Sequence, residues 1–238
     1  MDNQGSAHLK KAPKFGDSFV QAAYVKFIET GGAIAVPVDV MNMSDDEIRE
    51  FCGKCNGILF PGGGTVLQQR SGLPTEFTRR CGVAYDFAKE MNDNGYYFPI
   101  FGICLGFQIM HVLEAPYPGS LLCGFFNSTN NPTTMTFKTT PKETRLFAEM
   151  EESLITQLEE KDLTFQNHHD GITPEIYEKY PCLGDAFTVI ANSFDQSGVE
   201  YVTIVEHKKY PFYGLQQHPE KSTAIWVPGI QAPHCKES

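Results

Sequence analysis

The sequence predicts an α/β fold in which a parallel sheet is covered by helices and extended by an antiparallel addition. Two observations predict it. Segments with helical and strand-like apolar spacing alternate as far as Cys104, and two later strand-like segments flank a turn. The chain has 238 residues, 41% of them hydrophobic, which suits one domain with a sizeable core. We expect this domain to span residues 15–238, and residues 1–14 to be a disordered polar leader.

The first half of the chain predicts helices and strands in alternation. Apolar residues spaced over 20–28 predict a helix that ends at paired glycines, and the run at 33–38 predicts a strand. Ser-Asp-Asp-Glu at 44–47 is a capping box that opens a second helix. The apolar run at 57–60 predicts another strand, and an apolar stripe over 77–91 predicts a long helix. Because strands joined through helices usually pair in parallel, this order predicts a parallel sheet.

The second half contains a predicted hairpin. Strand-like residues 187–191 and 200–205 are joined through Asp195-Gln-Ser-Gly198, whose composition is typical of a turn. The acidic stretch at 149–161 predicts a helix with a solvated face. An antiparallel addition of this kind brings the late part of the chain back beside the parallel core.

A glycine-flanked cysteine marks the end of a further predicted strand. Residues 97–108 read Tyr-Phe-Pro-Ile-Phe-Gly-Ile-Cys-Leu-Gly-Phe-Gln, a buried strand that runs through Cys104 into a helix. Glycines at 102 and 106 relieve steric clash at a sharp strand-to-helix turn. The helix N-terminus favours a thiolate and supplies N–H groups for an oxyanion. Cys104 is therefore a candidate nucleophile, and a buried core cysteine is the alternative.

A candidate base follows the strand-like segment at 210–213. The sequence Gln217-His218-Pro219-Glu220 places an imidazole and a carboxylate two residues apart, so that both face the same way in an extended segment. Glu220 could then hold one nitrogen of His218 while the other faces Cys104. The spacing predicts a Cys-His-Glu triad.

A glycine turn follows the strand predicted at 57–60. The segment Leu59-Phe-Pro-Gly-Gly-Gly64 lies at the carboxyl end of that strand, where open α/β sheets bind ligands. A plain tight turn explains three consecutive glycines equally well.

Together, the cysteine elbow, the later His-x-Glu and the early glycine turn resemble the class I glutamine amidotransferase-like superfamily. The resemblance implies a flavodoxin-like sheet sandwiched by helices. Within the superfamily, the chain resembles the gamma-glutamyl hydrolase family from about Phe19 to the Pro233-His234 tail. The segments that carry this likeness are residues 22–27, 31–38, 56–63, 97–107 and 210–221.

The resemblance implies a cysteine hydrolase, an omega peptidase that cleaves gamma-glutamyl bonds, most often those of folate poly-gamma-glutamates. It implies that Cys104, His218 and Glu220 carry the reaction through a thioester, without a metal or an organic cofactor. The implied partner is a small gamma-glutamyl substrate, and a homodimer is compatible with the family. The implied compartment is lysosomal, vacuolar or extracellular, while residues 1–14 show no apolar signal segment.

Further site residues are implied by the same resemblance. The N–H groups of Leu105 and of a glycine in the early turn form the oxyanion hole, with Gly63 preferred over Gly62. His168 matches a histidine that the family places near the substrate, although His169 can be aligned there instead.

Two residues depart from the family pattern. Gln217 stands where the family usually has tryptophan, and Gln108 stands where these hydrolases usually have glutamate. The Gln108 form is the one that glutamine amidotransferases carry, where this side chain helps to hold glutamine. It keeps open a glutaminase-type amidotransferase or a gamma-glutamyl-amine hydrolase. A non-catalytic, truncated homologue is a third alternative.

The first residues of the chain also depart from the family pattern. Relatives begin with a short apolar strand before the region that matches Phe19, and the polar residues 1–14 do not supply one. The first strand of the sheet is therefore expected to be missing, and a fragment or mispredicted gene product is the favoured interpretation.

Composition excludes several classes of function. A net charge of −10 argues against nucleic acid and anionic membrane surfaces as partners, and no apolar run is long enough to span a membrane. The seven cysteines show no disulfide or zinc pattern. Cys52 and Cys55 form a lone C-x-x-C, and Cys52 extends the apolar face of a predicted helix, which favours a structural role. Two glycosylation sequons, at Asn42 and Asn127, do not settle the compartment.

Overall fold

A mixed sheet and a separate two-stranded ribbon organise the chain in a computed structural model, which describes residues 18–115, 121–226 and 228–234. The strands are β1 (Ile58–Phe60), β2 (Ile100–Ile103), β3 (Ser128–Thr133), β4 (Thr136–Phe137), β5 (Thr164–His168), β6 (Phe187–Phe194), β7 (Glu200–His207) and β8 (Phe212–Leu215). The helices are α1 (Ala22–Thr30), α2 (Asp45–Cys52), α3 (Glu76–Asp93), α4 (Leu105–Glu114), α5 (Glu152–Glu160), α6 (Pro174–Lys179), α7 (Pro181–Ala186) and α8 (Pro219–Ala224).

The main sheet has the strand order β1-β2-β8-β7-β6-β4. Strands β1, β2 and β8 are parallel, with Phe60 opposite Gly102 and Gly102 opposite Gly214. Strands β7, β6 and β4 continue the sheet in antiparallel pairs. The ribbon pairs β3 with β5, and Ser128 lies opposite His168. The chain thus closes the parallel part with β8, which lies between β2 and β7.

Apolar side chains bury both faces of the main sheet. On one face, helices α2, α3, α4, α6 and α7 form a large core with residues such as Ile100 and Phe212. On the other face, α5 packs near Ile204 and Leu215, while Tyr24 of α1 packs with Ile103 and Cys104. The predicted α/β fold class, a helix-covered sheet with an antiparallel addition, is confirmed.

Several local predictions are also confirmed. Ser44 and Glu47 form both hydrogen bonds of a capping box at the start of α2. Helix α3 covers the stripe predicted at 77–91, and β6 and β7 form the predicted hairpin. Gly198 adopts φ +82° in the turn between them, a conformation that glycine tolerates without strain.

The strand predicted at 33–38 is wrong. These residues form no strand, and Ile34 and Val36 are 89% and 58% exposed. A strand needs a hydrogen-bonding neighbour, and the described part of the chain provides none for this segment. The leader at 1–14, where the first strand of the family was expected to be missing, lies outside the described residues. Within the described residues, no helix is long and apolar enough to cross a membrane.

Candidate active site

Three parallel strands end at the same edge of the sheet, and their carboxyl ends carry the predicted site residues. Strand β1 leads into the glycine turn, β2 leads into Cys104, and β8 leads through Gln216 and Gln217 to His218. The parallel register of these strands is what brings residues far apart in sequence together.

The Cys104 elbow has the geometry that the sequence predicts. Cys104 has φ +52° and ψ −101°, outside the regions that non-glycine residues prefer, and it directly precedes α4. Its backbone N–H donates to the Leu215 carbonyl across the β2–β8 pair, at 2.7 Å. Its carbonyl accepts from the Gln108 N–H at 3.1 Å, which begins the helix. The strained turn is thus held by a strand bond on one side and a helix bond on the other.

The flanking glycines are required by packing. A Cβ on Gly106 would overlap the Phe60 carbonyl group, with the carbonyl carbon only 2.7 Å away. A Cβ on Gly102 would lie 2.7 Å from the Met110 Sδ and 2.8 Å from the Gly106 carbonyl carbon. Both distances are shorter than van der Waals contact, so only glycine lets α4 approach β1 and β2 this closely.

His218 and Glu220 are joined directly. The Nδ1 atom of His218 lies 2.8 Å from a carboxylate oxygen of Glu220, and both side chains are buried. Because a carboxylate only accepts, Nδ1 carries the proton. The His218 backbone N–H donates to the Phe165 carbonyl at 2.8 Å, which fixes the residue against β5. The expectation of an extended segment is wrong, because Pro219 and Glu220 open α8, yet the contact forms.

The charge state of His218 follows from its neighbours. Burial alone lowers the pKa of His218, but the negative charges of Cys104 and Glu220 and the hydrogen bond to Glu220 raise it to about 9. Nε2 of His218 makes no hydrogen bond of standard geometry to a described residue. The imidazole therefore holds a proton at neutral pH.

The glycine turn lies against the same two side chains. A Cβ on Gly62 would lie 2.9 Å from Cε1 of His218 and 3.4 Å from Cβ of Cys104, and it would overlap the Tyr24 hydroxyl. Leu105 is the first residue of α4, where backbone N–H groups have no partner within the helix. Gly62 of the turn thus lies against both His218 and Cys104.

Gln108 lies one helical turn after Cys104 and points its amide away from solvent. Its Nε2 donates to the Asp170 carbonyl at 2.8 Å and to Oε1 of Gln216 at 3.1 Å. Gln217, which replaces the expected tryptophan, accepts a hydrogen bond from the Thr203 hydroxyl at 3.1 Å. Both departures from the family pattern are therefore bound into buried polar contacts.

His168, at the end of β5, is buried, while His169 is exposed. The Nδ1 atom of His168 lies 3.0 Å from the Asp170 carbonyl oxygen. Burial, followed by the nearby His218, lowers the pKa of His168 to about 3. His169 instead contacts the Thr129 hydroxyl at 3.1 Å and the Phe126 carbonyl at 3.1 Å. The positive charge of His218 thus contributes to the low pKa of His168.

Two neighbours of the site were not predicted from sequence. Tyr24 of α1 is buried, with its hydroxyl 3.4 Å from Nδ1 of His218. Gln216 is fully buried and contacts Gln108. Tyr24 lies on the apolar face of a helix, and nothing in its local sequence distinguishes it from a core residue.

In the part of the chain that the structure describes, no group of three or more His, Cys, Asp or Glu side chains could hold a metal ion. Cys52 of the lone C-x-x-C is buried, and burial raises the pKa of its thiol to about 11. The described cysteines are free thiols.

Comparison with known proteins places this geometry in a family. The glutamine amidotransferase class-I family matches residues 12–226. The fold is similar to that of a Thermoplasma acidophilum protein assigned to GMP synthase, with a TM-score of 0.50 and 17% identity over 85% of this chain and 80% of that one. The chain belongs to the glutamine amidotransferase class-I family.

Within that family, the chain is similar to gamma-glutamyl hydrolases. It is 32% identical to gamma-glutamyl hydrolase B of Dictyostelium discoideum over 90% of this chain and 59% of that protein. It is 31% identical to the gamma-glutamyl hydrolase of Rattus norvegicus over 90% of this chain and 64% of that protein. Gamma-glutamyl hydrolase 1 of Arabidopsis thaliana is 30% identical over 93% of this chain and 61% of that protein. The chain thus spans about three fifths of the length of these relatives.

Proposed function

We propose that this chain is a cysteine hydrolase of gamma-glutamyl bonds. The observation that carries the proposal is His218, a buried imidazole that is bonded to Glu220 and kept protonated by the charges of Cys104 and Glu220. A thiolate–imidazolium pair at a helix N-terminus is the arrangement that nucleophilic catalysis by cysteine needs. The similarity to gamma-glutamyl hydrolases supports the choice of bond.

The first half-reaction uses the nucleophile and the acid. The Cys104 thiolate attacks the side-chain carbonyl carbon of the gamma-glutamyl group, and the negative charge moves to the carbonyl oxygen. The N–H of Leu105 and that of Gly63 or Gly62 hold this oxyanion. His218 then gives its Nε2 proton to the departing nitrogen, which leaves as an amine and produces a thioester.

The second half-reaction regenerates the thiolate. Neutral His218 takes a proton from water, which attacks the thioester carbonyl and releases the gamma-carboxylate of glutamate. Glu220 keeps Nδ1 of His218 protonated and the ring oriented throughout, so that Nε2 is the atom that gains and loses the proton. No step needs a metal or an organic cofactor. The specific substrate that we propose is a folate poly-gamma-glutamate.

A glutaminase-type or gamma-glutamyl-amine hydrolase is the second candidate, which the residue type of Gln108 favours. The hydrogen bonds of the Gln108 amide weaken this candidate, because both its hydrogens are already donated within the protein. The two candidates differ in the leaving group and not in the catalytic residues.

One experiment tests the proposal and separates the candidates. Purified protein and its Cys104→Ala variant are each incubated with a folate poly-gamma-glutamate, free glutamine and a gamma-glutamyl amine, and released glutamate is measured. We expect Cys104-dependent release from the polyglutamate. Release from glutamine or from the gamma-glutamyl amine alone would favour the second candidate, and no release from any substrate would indicate a non-catalytic homologue. A thioester mass on the Cys104 peptide after rapid acid quench would report the intermediate independently.

A further inference from the structure

A cavity of about 300 Å³ lies between the β6–β7 hairpin and α6. Val189, Asn192 and Val202 line it from the hairpin, and Pro174 and Tyr177 line it from α6. Pockets that hold small molecules have volumes from about 300 Å³ upwards, so this cavity is large enough for a small ligand. The described residues that line it include none of those assigned to the candidate active site.

A β-bulge turns Asn192 into this otherwise apolar cavity. In a regular strand, Val189 and Asn192 would point to opposite faces of the sheet, because they are an odd number of positions apart. The pairing of β6 with β7 shifts register twice between them, and Asn192 comes to lie opposite Val202. The bulge therefore brings all three side chains to one face. Bulges that re-aim a side chain are over-represented next to functional sites.

The Asn192 amide uses only one of its two ends within the protein. Its Nδ2 donates to a carboxylate oxygen of Glu200 at 2.8 Å, which fixes the orientation of the amide because a carboxylate only accepts. Its Oδ1 is buried and has no hydrogen-bond partner among the described residues, and the residue is only 3% exposed. Buried polar atoms are normally satisfied, so an unsatisfied acceptor that faces a cavity points to a donor from outside the protein.

The other polar side chains of the cavity are already paired. Lys138 and Glu200, which also line it, form an ion pair at 2.7 Å. The hydrogen bonds from Lys138 and Asn192 hold the pKa of Glu200 below its usual value, so Glu200 stays charged at neutral pH. The Tyr177 hydroxyl donates to Nε2 of His111 at 2.7 Å, because Nδ1 of that ring donates to a backbone carbonyl. The cavity thus combines apolar walls and a neutralised ion pair with one unused acceptor.

We propose that this cavity binds a small uncharged aromatic compound whose hydrogen-bond donor is accepted by Oδ1 of Asn192. The ring body of the ligand packs against the apolar walls, where an aromatic ring gains the most from burial. A charged ligand would lose its hydration and find the charges of the cavity already paired, whereas a neutral donor meets an acceptor that lacks a partner. The inference concerns a second site and does not rest on the reaction proposed for Cys104.

Indole is a probe of this chemistry, since it joins an apolar ring body to one N–H donor. Benzofuran is its matched control, because an oxygen replaces the N–H in a ring system of the same size. Each is titrated into the whole protein carrying ¹³C-labelled valine methyl groups, and NMR records the shifts of Val189 and Val202. We expect indole to shift both residues, and benzofuran to bind at least about tenfold more weakly, the effect of one lost hydrogen bond to a buried acceptor. Unchanged shifts at these valines, or equal affinities for the two probes, would overturn the proposal.

Substitutions in the cavity identify the group that accepts the hydrogen bond. Asn192→Leu keeps nearly the same side-chain size and removes the acceptor, so it should bind indole and benzofuran with similar affinity. Asn131→Leu, at a half-buried position of β3 outside the cavity, is the control and should keep the preference for indole. Val189→Phe should fill the cavity and abolish binding of both probes.

The proposal fails if folded Asn192→Leu still prefers indole, or if Val189→Phe binds indole as tightly as the wild-type chain does. Should Asn192→Leu not fold, the comparison of the two probes on the wild-type chain and on Val189→Phe decides the matter.

Discussion

Two buried histidines, His218 at the N-terminal cap of α8 and His168 at the end of β5, differ in charge state. Burial lowers the pKa of both rings. At His218, the charges of Cys104 and Glu220 outweigh burial and raise the pKa to about 9. At His168, burial and the nearby His218 outweigh the hydrogen bond to the Asp170 carbonyl, so the pKa falls to about 3.

The difference shows that nearby anions determine the charge state of a buried imidazole. The charges of Cys104 and Glu220 keep a proton on His218, while burial keeps His168 neutral. Because the two rings interact electrostatically, the cation also keeps its neighbour neutral.

The largest expected effect comes from removing the thiolate. Cys104→Ala should lower hydrolysis at least about 10⁴-fold, since the nucleophile is gone, and should leave the fold intact. It should also lower the pKa of His218, because one of its two anionic partners is lost. Glutamate release and NMR titration of His218 measure the two effects. Cys55→Ala, at a half-buried thiol of the C-x-x-C, is the control. Wild-type turnover in Cys104→Ala would refute the mechanism.

The second prediction compares His218, the proposed proton carrier, with Glu220, which orients its ring. His218→Asn should lose roughly 10³-fold or more in kcat/KM, and Glu220→Gln should lose less, about 10²-fold, because it leaves the imidazole in place. Steady-state kinetics on a gamma-glutamyl substrate measures both. If His218→Asn reacted as fast as wild type, the base would have to be another histidine. His168 would be the first candidate to test.

The third prediction concerns the packing of α4 beside Cys104, which can be disturbed without changing His168. Gly106→Ala should lower the free energy of unfolding by about 3 kcal/mol, because its Cβ meets the Phe60 carbonyl group in a packed backbone contact. Gly184→Ala is the matched control, since a Cβ there has nothing within 4 Å and lies in α7. Denaturant unfolding compares the two. Equal stability of the two variants would show that α4 can move away from β1.

The smallest effect is a shift in pH dependence. Because the folded pKa of His218 is raised, its contribution to stability is present below its ordinary pKa of 6.5 and is lost as pH rises through about 9. Activity should fall over the same alkaline range, and Glu220→Gln should move that fall to lower pH. His168 should add no further inflection between pH 5 and 8. A pH–rate profile with an unchanged alkaline limb in Glu220→Gln would contradict this account of His218.

The sequence predicts the elbow well, because its signals are local. Glycines at 102 and 106, the apolar run before them and the helical spacing after them all lie within a few residues of Cys104. The capping box at Ser44 and the hairpin turn at Gly198 are local in the same sense. In each case, the residues that define the geometry are sequence neighbours.

Features that depend on distant partners were missed or misjudged. The apolar run at 33–38 has the composition of a strand but finds no neighbouring strand in the described chain. Gln108 has the residue type that holds glutamine in amidotransferases, yet Asp170 and Gln216, over sixty residues away, take its amide. Tyr24 reaches His218 across 194 positions. Such contacts follow from the strand order, which no local pattern specifies.

The position of β8 has a consequence for the newly made chain. This strand is inserted between β2 and β7, although it is the last of the described strands to be synthesised. Until it arrives, the Leu215 carbonyl that holds the Cys104 elbow and the imidazole of His218 are both missing from the edge of β2. In a ribosome-bound chain, Cys104 therefore lacks both the Leu215 carbonyl and the His218 imidazole until this non-local pairing is complete.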